Sequence, residues 1–152
     1  MSNYTTIIEN FLDSEELHYN TKTYDWGSDT CVGFSRKGSE SVTVHLVNRE
    51  GRILSLDVVD LVHIPDSKMA EAIIYTNMKN RDPFLRFSID RDNDVNMTYD
   101  FPLGLTEESF ADVLKAMFPM FIMAVHKYHK DYNKMLWGNP TAAEDKPVEY
   151  LA

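Results

Sequence analysis

The stretch FSIDRDNDVNMTYDFPL, from Phe87 to Leu103, decides the fold of this chain. Apolar side chains alternate with polar ones on both sides of a short polar tip. They are Leu85, Phe87 and Ile89 before the tip, and Val95, Met97, Tyr99 and Phe101 after it. Because successive side chains of a strand point to opposite faces, this alternation predicts two half-buried antiparallel strands joined as a hairpin.

The tip of this hairpin carries aspartates at alternate positions, Asp90, Asp92 and Asp94. Such spacing is typical of the first half of an EF-hand calcium loop, which also needs glycine at its sixth position and glutamate at its twelfth. With Asp90 in the first position, the chain has Val95 and Phe101 there, and the flanks are predicted strands. We therefore interpret the aspartates as a solvated turn, with calcium binding as the less favoured alternative.

The residues before the hairpin predict a helix followed by three strands. Apolar residues at helical spacing, among them Ile8 and Leu12, predict a first helix from about Asn3 to Leu17. After a polar connection come three runs rich in β-branched and aromatic residues, separated by turn signals at Lys37-Gly38 and in NREG. The runs are TYDWGSDTCVGFSRK, SVTVHLV and RILSLDVVDLVHI. Alternation predicts one polar sheet face, carrying Thr43, His45, Arg86, Ser88, Thr98 and Asp100.

A second helix is predicted between the third strand and the hairpin. Asp66 or Ser67 can cap it by accepting a backbone N–H bond. It should end before Pro83, because the residue that precedes a proline disfavours the helical conformation. Its apolar face is predicted to consist of Met69, Ile73, Ile74 and Met78.

The last helix is predicted from an N-cap at Thr106 down to Gly138. Pro119 lies inside this pattern, where a proline removes a backbone donor and costs about 3 kcal/mol, so a kink or break is expected there. Residues 139–152 contain two prolines and no strong periodicity, which predicts a flexible tail.

These elements predict a single α+β domain over residues 1–138. An antiparallel sheet of about five strands carries helices on one face, in the order α-β-β-β-α-β-β-α. A chain of 152 residues can bury a core of its own without a disulfide or a metal.

Composition and charge restrict the class of partner. Fifteen basic and 24 acidic residues give a net charge of −9, which argues against nucleic acid and an anionic membrane as partners. The N-terminal segment has no basic region typical of a signal peptide. The single cysteine, Cys31, fits a reducing compartment, and we expect a cytoplasmic protein.

No motif in the sequence indicates catalysis, a cofactor or a metal site. His126 and His129 are three apart on the last helix, yet Lys127 and Lys130 flank them, so we interpret them as exposed surface residues. Cys31 has no base beside it in the sequence and is interpreted as a packed strand residue. We expect no catalytic residues, no metal and no cofactor.

The last helix is apolar around more of its circumference than one buried side requires. Met120, Phe121, Met123 and Ala124 are predicted to contact another protein surface, either a second copy or a partner. The alternative is that the first helix or the tail covers this side. A rival prediction is an enzyme or small-ligand pocket between sheet and helix, lined by Tyr99, Tyr128 and Trp137.

The stretch FLRFSIDRDNDVNMTYDFPLGLTEESFADVLKAM, from Phe84 to Met117, resembles the YbjN-type family of bacterial proteins, within the type III secretion chaperone-like fold. It is similar in having a strand, a polar tip, a second strand that ends in a DFPL-like stretch, and a helix opened by threonine and acids. Pro119 and the tail depart from the simplest form of that pattern. The resemblance implies a non-enzymatic, chaperone-like or regulatory protein that binds protein as a homodimer.

Overall fold

The computed structural model describes residues 3–36, 41–49, 53–81, 84–101, 106–138 and 148–150. The predicted turn at Lys37-Gly38, the end of NREG, Pro83 and residues 139–147 of the predicted tail lie outside this part of the chain. The helices are α1 (Asn3–Ser14), α2 (Met69–Lys79) and α3 (Glu107–Trp137). The strands are β1 (Tyr19–Tyr24), β2 (Gly27–Arg36), β3 (Ser41–Arg49), β4 (Ile53–His63), β5 (Arg86–Ile89), β6 (Asp94–Asp100) and β7 (Val148–Tyr150).

Within the described residues the strands form one antiparallel sheet in the order β1-β2-β3-β4-β6-β5. The α+β class and the antiparallel sheet are therefore confirmed. The hairpin that decides the fold is β5–β6, in which Phe87 pairs with Met97 and Ile89 with Val95. The order along the chain differs from the prediction by two strands within the described residues. β1 lies mostly before the first predicted run, and β7 follows α3.

The edge strands β1 and β7 both pair with β2. β1 pairs with residues 27–32 of β2, and β7 pairs with Phe34 to Arg36 of the same strand. β1 reads YNTKTY and is mostly exposed, so it carries little of the apolar alternation by which a strand is recognised. Of the predicted tail, residues 148–150 thus lie against the sheet.

The core lies between one face of the sheet and the three helices. Inward residues of β2, β3, β4 and β6 meet apolar residues of α1 and α3. Its most buried members include Ile8, Leu12, Val44, Leu46, Leu56, Val58, Val95, Met97, Phe110, Leu114, Phe118 and Tyr132. The opposite face, here called the polar face, carries Asp29, Cys31, Thr43, His45, Asp57, Arg86, Ser88, Thr98 and Asp100.

Helix α1 ends at Ser14, three residues before the predicted end. Glu16 has a φ of 57°, which is left-handed. The Leu17 N–H donates to the Leu12 carbonyl at 3.0 Å. A left-handed residue followed by a residue whose N–H bonds a carbonyl of the last helical turn is the Schellman motif of helix ends. This ending places Leu17 in the core, where its side chain is buried.

Helix α2 is rotated relative to the prediction. Its buried residues are Ala72 and Thr76, whereas Ile73, Ile74 and Met78 are exposed, so the prediction is wrong for these three residues. Met69, the fourth residue of the predicted face, is half-buried against the core. Small Ala72 permits close packing, and Thr76 hydrogen-bonds the hydroxyl of Tyr132 in α3. The predicted cap is also wrong: Asp66 and Ser67 belong to a short 3₁₀ helix, and no side chain caps α2.

Helix α3 continues through Pro119 without a break, so of the predicted kink or break the break is wrong. Both Pro119 and Lys115, four residues earlier, are exposed, so the carbonyl that loses its helical donor can bond water instead. The N-cap prediction is confirmed, because the Thr106 hydroxyl oxygen accepts a bond of 3.1 Å from the Ser109 N–H. Gly138 follows the last helical residue, as predicted.

Helix α3 is also long and apolar enough to cross a bilayer, judged by length and composition alone. The central helix of a water-soluble domain meets the same criterion, so this is weak evidence. Residues along α3, including Phe110, Leu114 and Tyr132, lie fully inside the core against the sheet and α1.

Candidate functional site

A groove of about 440 Å³ lies between α3 and the β5–β6 edge of the sheet. One wall is a helical stripe of α3, whose members recur at intervals of three and four residues. The other wall comes from β6 and from the residues that lead into β5. The lining residues are Phe84, Leu85, Tyr99, Met117, Met120, Phe121, Ala124, Lys127 and Tyr128.

The two rival sets of predicted site residues meet in this groove. Met120, Phe121 and Ala124 were expected at a protein contact, and Tyr99 and Tyr128 at a small-ligand pocket. The remaining members of both sets lie elsewhere. Met123 is 72% exposed and Trp137 is 66% exposed, and neither lines the groove.

Four lining residues were not predicted. Phe84 and Leu85 lie just before β5, and Met117 and Lys127 complete the α3 stripe. Met117 could have been found from the sequence, since it lies three and four residues before Met120 and Phe121. Phe84 could not have been found from the sequence, because its position depends on the path of the chain between α2 and β5.

The groove is chemically suited to binding rather than to reaction. Its lining atoms are mostly apolar, and the nine residues include one charged group, Lys127, and no carboxylate, histidine or cysteine. Burial raises the pKa of the Tyr99 phenol, which therefore stays neutral at physiological pH. General acid–base catalysis needs a group that titrates near the working pH, and none is found among the nine described residues that line this groove.

Tyr128 is held in place from several sides. Its ring packs edge-on against Phe87 at a centroid distance of 4.9 Å. The ammonium groups of Lys79 and Lys127 lie 5.5 and 5.4 Å from its ring centre. These contacts place positive charge at one end of an otherwise apolar groove.

A second cluster lies on the polar face, where β2 and β3 pair. Cys31 and His45 are directly opposite each other, and Asp29 is two residues before Cys31 on the same face. The Cys31 Sγ lies 3.2 Å from the His45 Nδ1, and the Asp29 Oδ1 lies 3.0 Å from the same nitrogen. The sulfur and the Asp29 Oδ1 are 3.7 Å apart. The sequence interpretation of Cys31 as a residue without a base nearby is corrected by this pairing.

The cluster does not have the geometry of a nucleophilic triad. In a triad the nucleophile contacts one ring nitrogen of histidine and the carboxylate contacts the other. Here Cys31 and Asp29 both contact Nδ1 of His45. Burial, and then the charge and hydrogen bond of Asp29, raise the pKa of the Cys31 thiol, which opposes formation of the reactive thiolate.

Asp57 extends this cluster on β4, where it pairs with His45 across the sheet. Burial raises the pKa of the Asp57 carboxyl, and a hydrogen bond with Thr98 acts in the opposite direction. Its Oδ1 is buried and has no hydrogen-bond partner among the residues that the structure describes. A buried acceptor without a donor beside a histidine indicates a polar environment that is not fully satisfied by the chain itself.

The aspartates at the β5–β6 tip make hydrogen bonds that stabilise the turn. The Asp90 Oδ1 accepts bonds from the backbone N–H groups of Asp92, at 2.8 Å, and Asp94, at 3.1 Å. These bonds hold the pKa of Asp90 below its ordinary value. Asp94 is bonded to His63 at 2.8 Å, and Asn93 takes the left-handed conformation with a φ of 63°. Asp90 thus aims its carboxylate at backbone donors rather than at a shared cation position.

His126 and His129 are both half-buried rather than exposed, which corrects the sequence interpretation of their surroundings. Asn133 packs on His129, and its amide nitrogen lies 3.3 Å from the Nε2. Among the described residues, the histidine that meets a cysteine and a carboxylate is His45.

No known family model matches this chain, and no curated protein sequence matches it. Among solved structures, the fold is similar to that of the Yersinia pestis type III secretion chaperone SycH, solved in complex with a stable fragment of YscM2. The superposition covers 79% of this chain and 98% of that chain, at 17% identity and a TM-score of 0.46. Neither sequence comparison supports the YbjN-type family, which stays a prediction.

Proposed function

We propose that this chain is a non-enzymatic protein-binding module, and that its groove and the neighbouring face of α3 receive the same face of a second copy. The observation that carries the proposal is the exposure of two methionines beside an apolar groove. Met120 is 59% exposed at the groove rim, and Met123, one turn further, is more exposed still. Large apolar side chains grouped at a concave surface are typical of protein interfaces.

The surface has the knob and the hole that a two-fold interface needs. In a two-fold dimer, the same patch must present both complementary shapes. Met123 protrudes from the α3 face next to the stripe that lines the groove, and Ala116, on the same side, is small enough to allow close approach of a second helix. A second copy can therefore place its methionines over the groove while accepting those of the first.

Charge favours an antiparallel arrangement of the two α3 helices. Asp112 and Lys134 are both exposed, and each lies eleven residues from Met123, in opposite directions along the helix. Eleven residues make about three turns, so the three side chains share one face. An antiparallel crossing centred on Met123 brings Asp112 of each copy opposite Lys134 of the other.

The interface must extend beyond the groove itself. A stable dimer buries about 1,200–2,000 Å² in total, or 600–1,000 Å² on each copy. A helix of 31 residues is about 46 Å long, so the exposed face of α3 offers that extent. Packing of two such helices at 8–10 Å between their axes would cover Met120, Met123 and the groove rim.

The test is sedimentation equilibrium of the wild type and of a Met123→Glu variant, over protein concentrations from 1 to 200 µM. We expect a monomer–dimer equilibrium for the wild type and at least a tenfold higher dissociation constant for the variant, because the substitution brings two carboxylates to the apolar centre of the dimer. The matched control is Ile74→Glu, which changes a similarly exposed apolar residue on α2. It should dimerise like the wild type.

A wild type that remains monomeric throughout would contradict the proposal. So would equal effects of the two glutamate variants, which would indicate general loss of solubility rather than a defined surface.

A small apolar ligand is the second candidate occupant, because 440 Å³ lies within the range of small-molecule pockets. Lys127 at the groove would suit the carboxylate of a medium-chain fatty acid. Calorimetric titration with dodecanoate tests this: saturable binding at one site per monomer, lost in Ala124→Trp, would favour the ligand over the second copy. The chaperone-like or regulatory role, a protein client and the cytoplasmic location remain predictions.

A further inference from the structure

We propose that Asp29, Cys31 and His45 on the polar face form a zinc-binding site. The three side chains come from two paired strands, and one potential ligand atom from each lies within 4.8 Å of the others. Thiolate, imidazole and carboxylate are the ligand types that zinc takes in proteins. Calcium and magnesium prefer sets made of oxygen atoms, so this combination does not suit them.

The separations between the ligand atoms agree with tetrahedral zinc. With metal–ligand distances of about 2.0–2.3 Å, two ligand atoms of a tetrahedral site are about 3.3–3.6 Å apart. The Cys31 Sγ and His45 Nδ1 are 3.2 Å apart, His45 Nδ1 and Asp29 Oδ1 are 3.0 Å apart, and the sulfur and that oxygen are 3.7 Å apart. Shifts of a few tenths of an ångström would accommodate an ion.

The ligand atoms are placed by the sheet and not by flexible loops. Asp29 and Cys31 share a face because they are two apart on β2, and the β2–β3 register puts His45 directly opposite Cys31. The convergence of Cys31 and Asp29 on one nitrogen of His45 is unsuited to a triad, but it is what ligation by His45 Nδ1 requires.

Asp57 is the neighbouring carboxylate that could support His45 as a zinc ligand. A histidine that ligates zinc usually donates its other ring N–H to a carboxylate or carbonyl. Asp57 pairs with His45 on β4, and its buried Oδ1 lacks a donor. The side chains of His45 and Asp29 are each about one quarter exposed, at 25% and 24%, so an ion can enter from solvent.

The site has three protein ligands and therefore leaves a fourth position for water or for a group from another molecule. Lys22 faces Asp29 from β1 and its charge opposes a divalent cation, whereas the net charge of −9 favours one. This site is separate from the α3 groove, so its presence or absence leaves the proposed dimer unaffected.

The experiment is calorimetric titration of reduced, chelator-treated protein with zinc alone, together with absorption spectra after addition of cobalt(II). We expect one zinc ion per chain and an intense near-ultraviolet sulfur-to-cobalt band. Cys31→Ser should abolish that band. Each of Cys31→Ser, His45→Gln and Asp29→Asn should raise the zinc dissociation constant by at least about tenfold, since even the loss of supporting groups costs 10–100-fold.

The matched control is His63→Gln, which removes a second histidine that is paired with a carboxylate, Asp94, but has no cysteine partner. It should bind zinc like the wild type. A double variant His126→Gln/His129→Gln tests the other pair of histidines close in sequence. The proposal is wrong if the double histidine variant loses zinc binding. It is also wrong if the wild type binds no zinc and gives no cobalt band. Should a ligand variant fail to fold, the cobalt band of the wild type still decides whether Cys31 ligates.

Discussion

Thr76 of α2 and Tyr132 of α3 share a buried hydrogen bond of 2.8 Å between their hydroxyl groups. The Tyr132 ring also packs edge-on against Tyr75 at 5.0 Å. These contacts fix the rotation of α2, because they turn Thr76 and Ala72 inward and leave Ile74 toward solvent. A polar contact, and not the apolar pattern, therefore sets which face of this helix is buried.

Removal of either hydroxyl should destabilise the fold. Thr76→Val and Tyr132→Phe each leave one buried hydroxyl without its partner, which costs about 1–3 kcal/mol in the free energy of unfolding. The double variant leaves neither group unsatisfied and should cost less than the sum of the single changes. Urea denaturation of the four proteins measures this coupling. Additive costs would show that the bond does not hold α2 to α3.

Stability should fall in alkaline solution because of Tyr132. Burial raises the pKa of this phenol to about 12, against about 10 in an unfolded chain. Because the folded pKa is the higher one, its contribution is complete below pH 10 and is lost as the pH rises toward 12. Between pH 9 and pH 11 the wild type should lose about 1 kcal/mol more than Tyr132→Phe in the free energy of unfolding. If the free energy of unfolding falls equally with pH in the wild type and in Tyr132→Phe, the raised pKa of Tyr132 is contradicted.

Replacement of Pro119 by alanine should stabilise the protein. The change restores a backbone donor within α3 and removes a steric clash worth about 3 kcal/mol, partly offset by about 0.4–1 kcal/mol of added freedom in the unfolded chain. We expect a gain of about 2 kcal/mol in the free energy of unfolding. Pro119→Gly serves as control and should give about 1 kcal/mol less. A loss of stability in Pro119→Ala would mean that α3 needs the proline to curve around the sheet.

Asp90 should matter to the hairpin while Asp92 should not. Asp90→Ala removes the carboxylate that accepts two backbone N–H bonds at the tip, so the midpoint of thermal unfolding should fall. Asp92→Ala changes an adjacent exposed carboxylate and should leave the midpoint unchanged. Since Asp90 has a lowered pKa, its contribution should be lost as the pH falls through that value. A rise in the midpoint on addition of calcium would instead favour the EF-hand alternative.

The sheet was predictable where alternation was strong and unpredictable where it was weak. The β5–β6 hairpin follows from alternating apolar residues such as Phe87 and Val95, and the antiparallel pairing of its two strands is confirmed. β1 was missed because an exposed edge strand needs no apolar face. α2 was misoriented because apolar spacing cannot reveal that Thr76 bonds Tyr132 across the core.

The site was partly predictable for the same reasons. Helical spacing placed Met120, Phe121 and Ala124 on one side of α3, but the walls of the groove depend on packing against β6. The Cys31–His45 pair did not follow from the predicted turn. A turn centred on Lys37-Gly38 would place Cys31 opposite Val44, and the observed register differs from that by one residue.

The most direct test of the central claim, that two copies pair through α3, is a charge exchange measured by sedimentation equilibrium. Asp112→Lys and Lys134→Glu alone should each weaken the dimer, because each places like charges opposite one another twice in the two-fold interface. The double variant Asp112→Lys/Lys134→Glu should restore the dissociation constant to within about threefold of the wild type. A wild type that never dimerises, or a double variant as weak as the sum of the single ones, would contradict the account.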